Sequence, residues 1–155
     1  MRFSHELIVP EEGLPFKLFL FEGRDGNYFR EKHWHRSVEI FAVCRGDLGF
    51  FIDDKQWHLS ADQFMIVNSN EVHSIDSPMP NETIVLQIPL KMFEEYFTVE
   101  QFIWFTHEPG KKDERFMELL KELYRVYTER QIGYNLKVKS IFYNIMYLLI
   151  KEYRL

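Results

Sequence analysis

The chain has 155 residues, 46% of them hydrophobic, 28% charged and 17% aromatic, with a net charge of −5. That is one domain's worth of protein, long enough to bury a core without cross-links, and the single cysteine, Cys44, permits no internal disulfide. The acid excess argues against a free-standing nucleic-acid reader, which needs clustered Lys and Arg; no run of about 18 apolar residues exists to cross a bilayer, and the N-terminus lacks a signal-peptide core, so the expected compartment is the cytoplasm.

The first half of the chain alternates short apolar stretches with turn signals. Phe16–Phe21 reads as a strand ended by Glu22-Gly23 and Asp25-Gly26. Val38–Cys44 follows, ended by Arg45-Gly46-Asp47, then Leu48–Ile52, which Asp53-Asp54-Lys55 turns into Gln56–Leu59. Phe64–Val67, His73–Asp76 and Thr83–Ile88 complete the series. Some seven short strands with turns every 8–12 residues predict a sandwich or closed barrel. Val38–Cys44 is apolar at both parities, so its second face is expected to be covered. Residues 1–12 carry no periodicity and read as a frayed end or a docking arm.

After residue 90 the apolar spacing becomes helical. Lys91–Phe97 is a short helix. Asp113 is the expected N-cap of a longer one over 114–130, with Phe116, Leu119, Leu120, Leu123 and Tyr127 as its stripe and Gly133 at its end. A last helix from Asn135 carries Ile141, Phe142, Ile145, Leu148 and Leu149. With Tyr143, Met146, Tyr147 and Ile150 on its other face, it has more apolar surface than one contact needs, which predicts a homodimer through this helix.

The chemistry concentrates in His33-Trp34-His35, Glu39 and His73. His33, His35 and Glu39 have one parity, so on a single strand they would share a face, with His73 arriving from a neighbour. Three imidazoles and a carboxylate suit a divalent transition metal such as Zn, Fe, Mn, Ni or Cu. They equally suit a metal-free pocket that hydrogen-bonds a ligand. Phe41 shares their parity and lies deeper in the same cavity. Trp57 and Leu59 share a parity of their own, so one faces inward; a Trp there could stack on a sugar or serve as core. Tyr28 and Arg30 could reach the cavity mouth. His58 and His107 read as surface residues, and Cys44 as buried and inert.

The run H-x-H-x3-E-x6-G, from His33 to Gly46, resembles the first motif of the cupin superfamily. Ala61-Asp62-x5-Asn68-x-Asn70-x2-His73 resembles the second, with Ala61 where the family has Gly, Asn68 and Asn70 where it has Pro and Gly, and Ser77 where it has Asn. From about residue 14 onward the wording, above all LQIPLKMFEEYF, is similar to the N-terminal sensor domain of AraC-type transcription regulators. The resemblance implies a mainly β fold: a cupin-type (jelly-roll) β-barrel over 1–90, followed by a C-terminal pair of α-helices over 91–155 that packs on it and dimerises. It implies an effector pocket of His33, His35, Glu39, Phe41, Trp57 and His73 for a small molecule, expected to be a carbohydrate, with no catalytic residue. DNA would be met only through a helix-turn-helix domain beyond Leu155. The alternative is a small metal-dependent cupin enzyme, a sugar isomerase or dioxygenase, with His33, His35, Glu39 and His73 as its metal ligands.

Overall fold

The computed structural model describes residues 4–6, 13–23, 28–33, 37–69, 71, 73–77, 79–98, 103–106, 108 and 112–155, with side chains described at all of these except 4–6, 23, 28–33 and 77. Among the described residues eight strands precede the helices: β1 (Ser4–Glu6), β2 (Lys17–Gly23), β3 (Tyr28–His33), β4 (Ser37–Ile52), β5 (Lys55–Ser60), β6 (Phe64–Val67), β7 (His73–Ser77) and β8 (Asn81–Pro89). All the pairings are antiparallel, in the order β1-β2-β8-β4-β7-β3, with β5 and β6 also paired to β4. A 3-10 turn, Leu90–Tyr96, leads toward α1 (Glu114–Glu129) and α2 (Tyr134–Leu148), and α2 runs into a wider π-turn, Leu149–Tyr153. The architecture is a cupin-type barrel followed by two helices.

Strand β4 organises the molecule. Its first half pairs with β8 and β6, and its second with β5 and β7. The sequence signal Arg45-Gly46-Asp47 reads as a strand end, but the chain instead continues across it through a bulge between Val43 and Arg45. Gly46 makes this passage possible. Its φ is +76°, and a Cβ there would lie 2.1 Å from the Pro80 carbonyl oxygen. Gly46→Ala is therefore expected to cost about 2–4 kcal/mol, from left-handed backbone strain plus overpacking. A lower urea midpoint at unchanged slope would register the loss.

The residues of β4 alternate between two cores. Phe41 and Val43 enter the barrel with Phe19, Phe50, Leu59, Met65 and Val85. Val38, Ile40 and Ala42 point the other way, into a layer shared with Phe116, Leu120, Leu123, Phe142 and Ile145 of the helices. The helices thus cover the outer face of the β2-β8-β4-β6 sheet, which is why the strand is apolar on both parities. Each Phe or Leu sunk in either layer contributes roughly 1.5–3 kcal/mol.

Local signals explain the ends of the helices. The Asp113 side chain accepts a hydrogen bond from the Phe116 N–H at 3.1 Å, capping α1. The helix ends at Arg130 in a left-handed conformation, and Gly133, expected to end it, stands instead at the start of α2. Ile141, Phe142, Ile145, Leu148 and Leu149 are all buried within this one chain. This corrects the expected dimer stripe: barrel and α1 already cover those five side chains. The exposed apolar residues of α2 are Leu136, Tyr143 and Tyr147. At the N-terminus, Ser4–Glu6 pairs with Leu20–Glu22 as an added strand, where the sequence shows no periodicity.

Candidate functional site

The barrel interior holds a line of polar side chains in an otherwise apolar core. Glu39 sits mid-sheet on β4, directly opposite Val67 on β6 and Gln87 on β8. Opposed residues of an antiparallel pair share a face, so the register alone carries Gln87 to the carboxylate. The Gln87 side-chain amide donates to Glu39 Oε2 at 2.9 Å. On the other side His73 Nε2 lies 2.9 Å from Glu39 Oε1. The side chains of both Glu39 and His73 are only 1% exposed. The Phe41 ring meets the His73 ring edge-on at 6.1 Å and packs on Phe50 at 5.8 Å.

The histidine's other nitrogen fixes the chemistry. Nδ1 lies 3.2 Å from the Glu71 carbonyl oxygen, which only accepts, so Nδ1 carries the proton of that hydrogen bond. In the neutral ring Nε2 is then a lone pair facing a carboxylate. A positive centre between the two relieves that opposition: a proton, as in an imidazolium–carboxylate pair, or a metal ion. The 2.9 Å separation suits both, since ligands about 2.1 Å from one ion and at right angles around it stand roughly 3 Å apart. Among the described residues no group of three His, Cys, Asp or Glu is placed to hold a metal. The described donors of such a site are therefore His73 and Glu39.

His33 pairs directly with His73 in the register of β3 and β7. His35 lies outside the described residues, as does His107. The expectation that His33 and Glu39 share one strand is corrected: His33 ends β3 beside β7, whereas Glu39 belongs to β4 between β6 and β8. The two residues stand in different sheets of the barrel. Leu59 is the inward residue of its pair, and Trp57 lies half-buried at the margin of the interior cluster. His58 is exposed at the surface. Burial raises the half-buried Cys44 thiol above its ordinary pKa, which keeps it protonated.

Beside this interior line is an open groove of about 440 Å³, whose lining includes Ile52, Trp57, Met65, Asn68, Glu71 and Trp104. Asn68, buried in its floor, is the best-tied residue of the region. Its amide nitrogen donates to the Phe105 carbonyl at 2.9 Å and to Glu71 Oε1 at 3.0 Å. Its side-chain oxygen accepts from the Phe105 N–H at 2.7 Å, and its own backbone N–H donates to Glu71 Oε1 at 2.8 Å. Phe105 in turn bridges Arg154, Thr106 N–H donates to the Tyr153 carbonyl at 2.7 Å, and Leu155 N–H donates to the Trp104 carbonyl at 2.9 Å. The Tyr153 hydroxyl donates to Asp113, the cap of α1. Burial and that carboxylate hold the phenol well above its usual pKa, so it stays a donor. A continuous set of hydrogen bonds thus runs from His73 through Glu71 and Asn68 to the last residues of the chain.

Sequence reasoning missed Gln87, Glu71 and Trp104. The signal for Gln87 was present: it is the one amide in the buried run Thr83–Ile88, and a polar residue inside an apolar strand needs a partner. Asn68 was legible only as a turn former.

An interior acid–imidazole–amide line inside a jelly-roll, with helices on one outer face, defines a cupin-type barrel. Solved structures share the fold. A cupin superfamily protein from Desulfitobacterium hafniense aligns at TM-score 0.50 and 12% identity, over 57% of this chain and 78% of that one. A cupin 2 conserved barrel domain protein from Salinispora arenicola aligns at TM-score 0.51 and 13% identity, over 61% and 82%. A conserved protein of unknown function from Streptococcus pyogenes aligns at 0.50 and 10%, over 57% and 75%. No curated protein shows a significant match. The family model for the AraC-like ligand binding domain matches residues 15–146. The chain belongs to that family, whose domain binds small molecules.

Proposed function

We propose that this chain is the effector-sensing and dimerisation module of a bacterial AraC-type transcription regulator, acting in the cytoplasm, with a sugar as its effector. Residues 1–90 are the sensor and 91–155 the dimerising segment. DNA is met through a helix-turn-helix domain, not through this acidic chain. The observation that carries the reading is the bracket at Asn68. One side chain holds both the turn that positions His73 and the segment paired with residues 153–155. A ligand that favours one arrangement of that turn shifts the population of C-terminal states, by as much as its affinities for the two differ.

In this reading His33, His35, Glu39, Phe41 and His73 contact the effector, with Trp57 at the mouth. His33, His35, Glu39 and His73 would also be the residues to hold a divalent metal (Zn, Fe, Mn or Ni), which would polarise a ligand hydroxyl. Whether or not metal binds, this chain's own residues do the orienting. Gln87 fixes one oxygen of Glu39, and the Glu71 carbonyl fixes the tautomer of His73.

A thermal-shift screen of pentoses and hexoses, with metal analysis of the purified protein, tests the proposal. A saturable rise in Tm with one sugar is expected, lost in the His33→Ala, His35→Ala double variant. The same rise in the double variant removes the histidines from the site. Stoichiometric metal together with turnover of a sugar phosphate or diketone would establish the enzyme reading instead.

The dimer uses the exposed face of α2. Leu136, Tyr143 and Tyr147 recur at helical spacing, and Tyr143 and Tyr147 remain 52% and 56% exposed. Tyr143→Glu with Tyr147→Glu is expected to convert a dimer to a folded monomer in sedimentation equilibrium. An unchanged mass would place the interface elsewhere.

A further inference from the structure

The groove beside the barrel has a character of its own. It is open, whereas the Glu39–His73 pair is sealed from water. Its walls carry two indoles, Trp57 and Trp104, and Trp104 is 40% exposed. Among the described residues its lining includes three acidic residues, Asp53, Glu71 and Glu108, and one lysine, Lys55. The Lys55 ammonium sits 4.4 Å from the centre of the Trp57 ring. That contact is a cation–π interaction in place: the protein's own cation occupies an aromatic face in an acidic groove.

Local backbone geometry presents these groups. Asp53 and Asp54 both have positive φ, 51° and 66°, forming the two-residue turn between β4 and β5. The tight turn delivers Asp53 and Lys55 side by side at the rim. Trp104 reaches the groove on the segment that the Asn68 side chain holds through Phe105.

We propose that this groove is a second ligand site, for a small organic cation: a protonated or quaternary amine on a compact apolar body. The ligand's positive group takes an indole face, as Lys55 does now, and its body fills the space between Trp57 and Trp104. The carboxylates supply the field that favours a cation over a neutral molecule of the same shape. Trp104 and Trp57 are the specificity-determining residues. Lys55 is the resident competitor, vacating the ring when the ligand enters. The site shares Trp57 with the mouth of the barrel pocket, but its preference for a cation does not depend on the sugar reading of the interior.

The test is a titration of the purified full chain followed by tryptophan fluorescence, with indole N–H NMR signals assigned through Trp57→Phe and Trp104→Phe. The probes are benzyltrimethylammonium, its neutral analogue benzyl alcohol, and D-glucose. The cation is expected to saturate with shifts at the Trp57 and Trp104 indoles, roughly threefold to tenfold tighter than benzyl alcohol. Trp104→Ala should abolish that preference, whereas Trp104→Phe should keep part of it. Asp53→Asn and Glu108→Gln, both at exposed positions, should weaken only the cation, and added salt should do the same. Lys55→Ala should tighten it, an effect that a purely structural lysine would not produce. Equal binding of the charged and neutral probes, no saturation by the cation, or weaker binding in Lys55→Ala would each overturn the proposal. Glucose binding without cation binding would overturn it while leaving the sugar effector standing. Cation binding with no response to any sugar would do the reverse.

Discussion

Asn68→Ala is expected to lower stability by about 3–4 kcal/mol, because it strips partners from several buried groups at once. The Phe105 N–H and carbonyl both lose their bond to the Asn68 side chain, and Glu71 loses one of its two donors. For a chain of this length the loss lowers Tm by roughly 10 °C. The cost should be localised. Amide exchange should accelerate at Phe105, Thr106 and Leu155, while the amides of β4 and β8 slow or quicken only with global stability. Asn68→Asp should do no better at neutral pH. It keeps an acceptor for Phe105 but sets a second carboxylate against Glu71. Wild-type protection at Leu155 in Asn68→Ala would show that the C-terminal segment is held independently of the barrel.

The second large effect belongs to Glu39. Glu39→Ala removes the carboxylate that both His73 and Gln87 address, leaving two polar groups in the barrel core. The expected cost is about 3–5 kcal/mol, the scale for removing one partner of a buried, hydrogen-bonded polar contact that includes a carboxylate. Replacing the pair together, Glu39→Leu with His73→Leu, should recover most of that loss, since apolar substitutes of similar volume are often neutral or better. Urea denaturation of the two single variants and the double variant measures the coupling. Recovery of stability without recovery of ligand response would mean that the pair serves binding and not the fold. A double variant no better than Glu39→Ala would mean that it supports the barrel itself.

The sequence made the fold class legible because period-2 and period-3.6 patterns occupy separate halves of the chain. It also identified Asp113 as a cap, since an acid before a helical stripe has one obvious use. Other features depended on contacts far apart in sequence. Arg45-Gly46-Asp47 carries every mark of a turn, and only the neighbouring Pro80 carbonyl explains why a glycine there continues β4. The parity of His33, His35 and Glu39 assumed an unbroken strand. The pairing of β3 with β7 and of β4 with β8 puts His33 and Glu39 on different strands, so parity along one strand could not relate them. The groove was invisible because Trp57 and Trp104 lie 47 positions apart in the numbering and meet only through tertiary packing. The apolar excess of the last helix pointed to a second subunit, but the barrel's outer face used most of it first.

The alternation along β4 has an evolutionary consequence. Phe41 and Val43 shape the chamber, while Val38, Ile40 and Ala42, interleaved with them, seat the helices. Barrel lining and helix docking are therefore written on alternate letters of one short word. Substitutions at the odd positions can reshape the hollow without disturbing the mounting behind it; under the proposed function, one scaffold could then be adapted to new ligands.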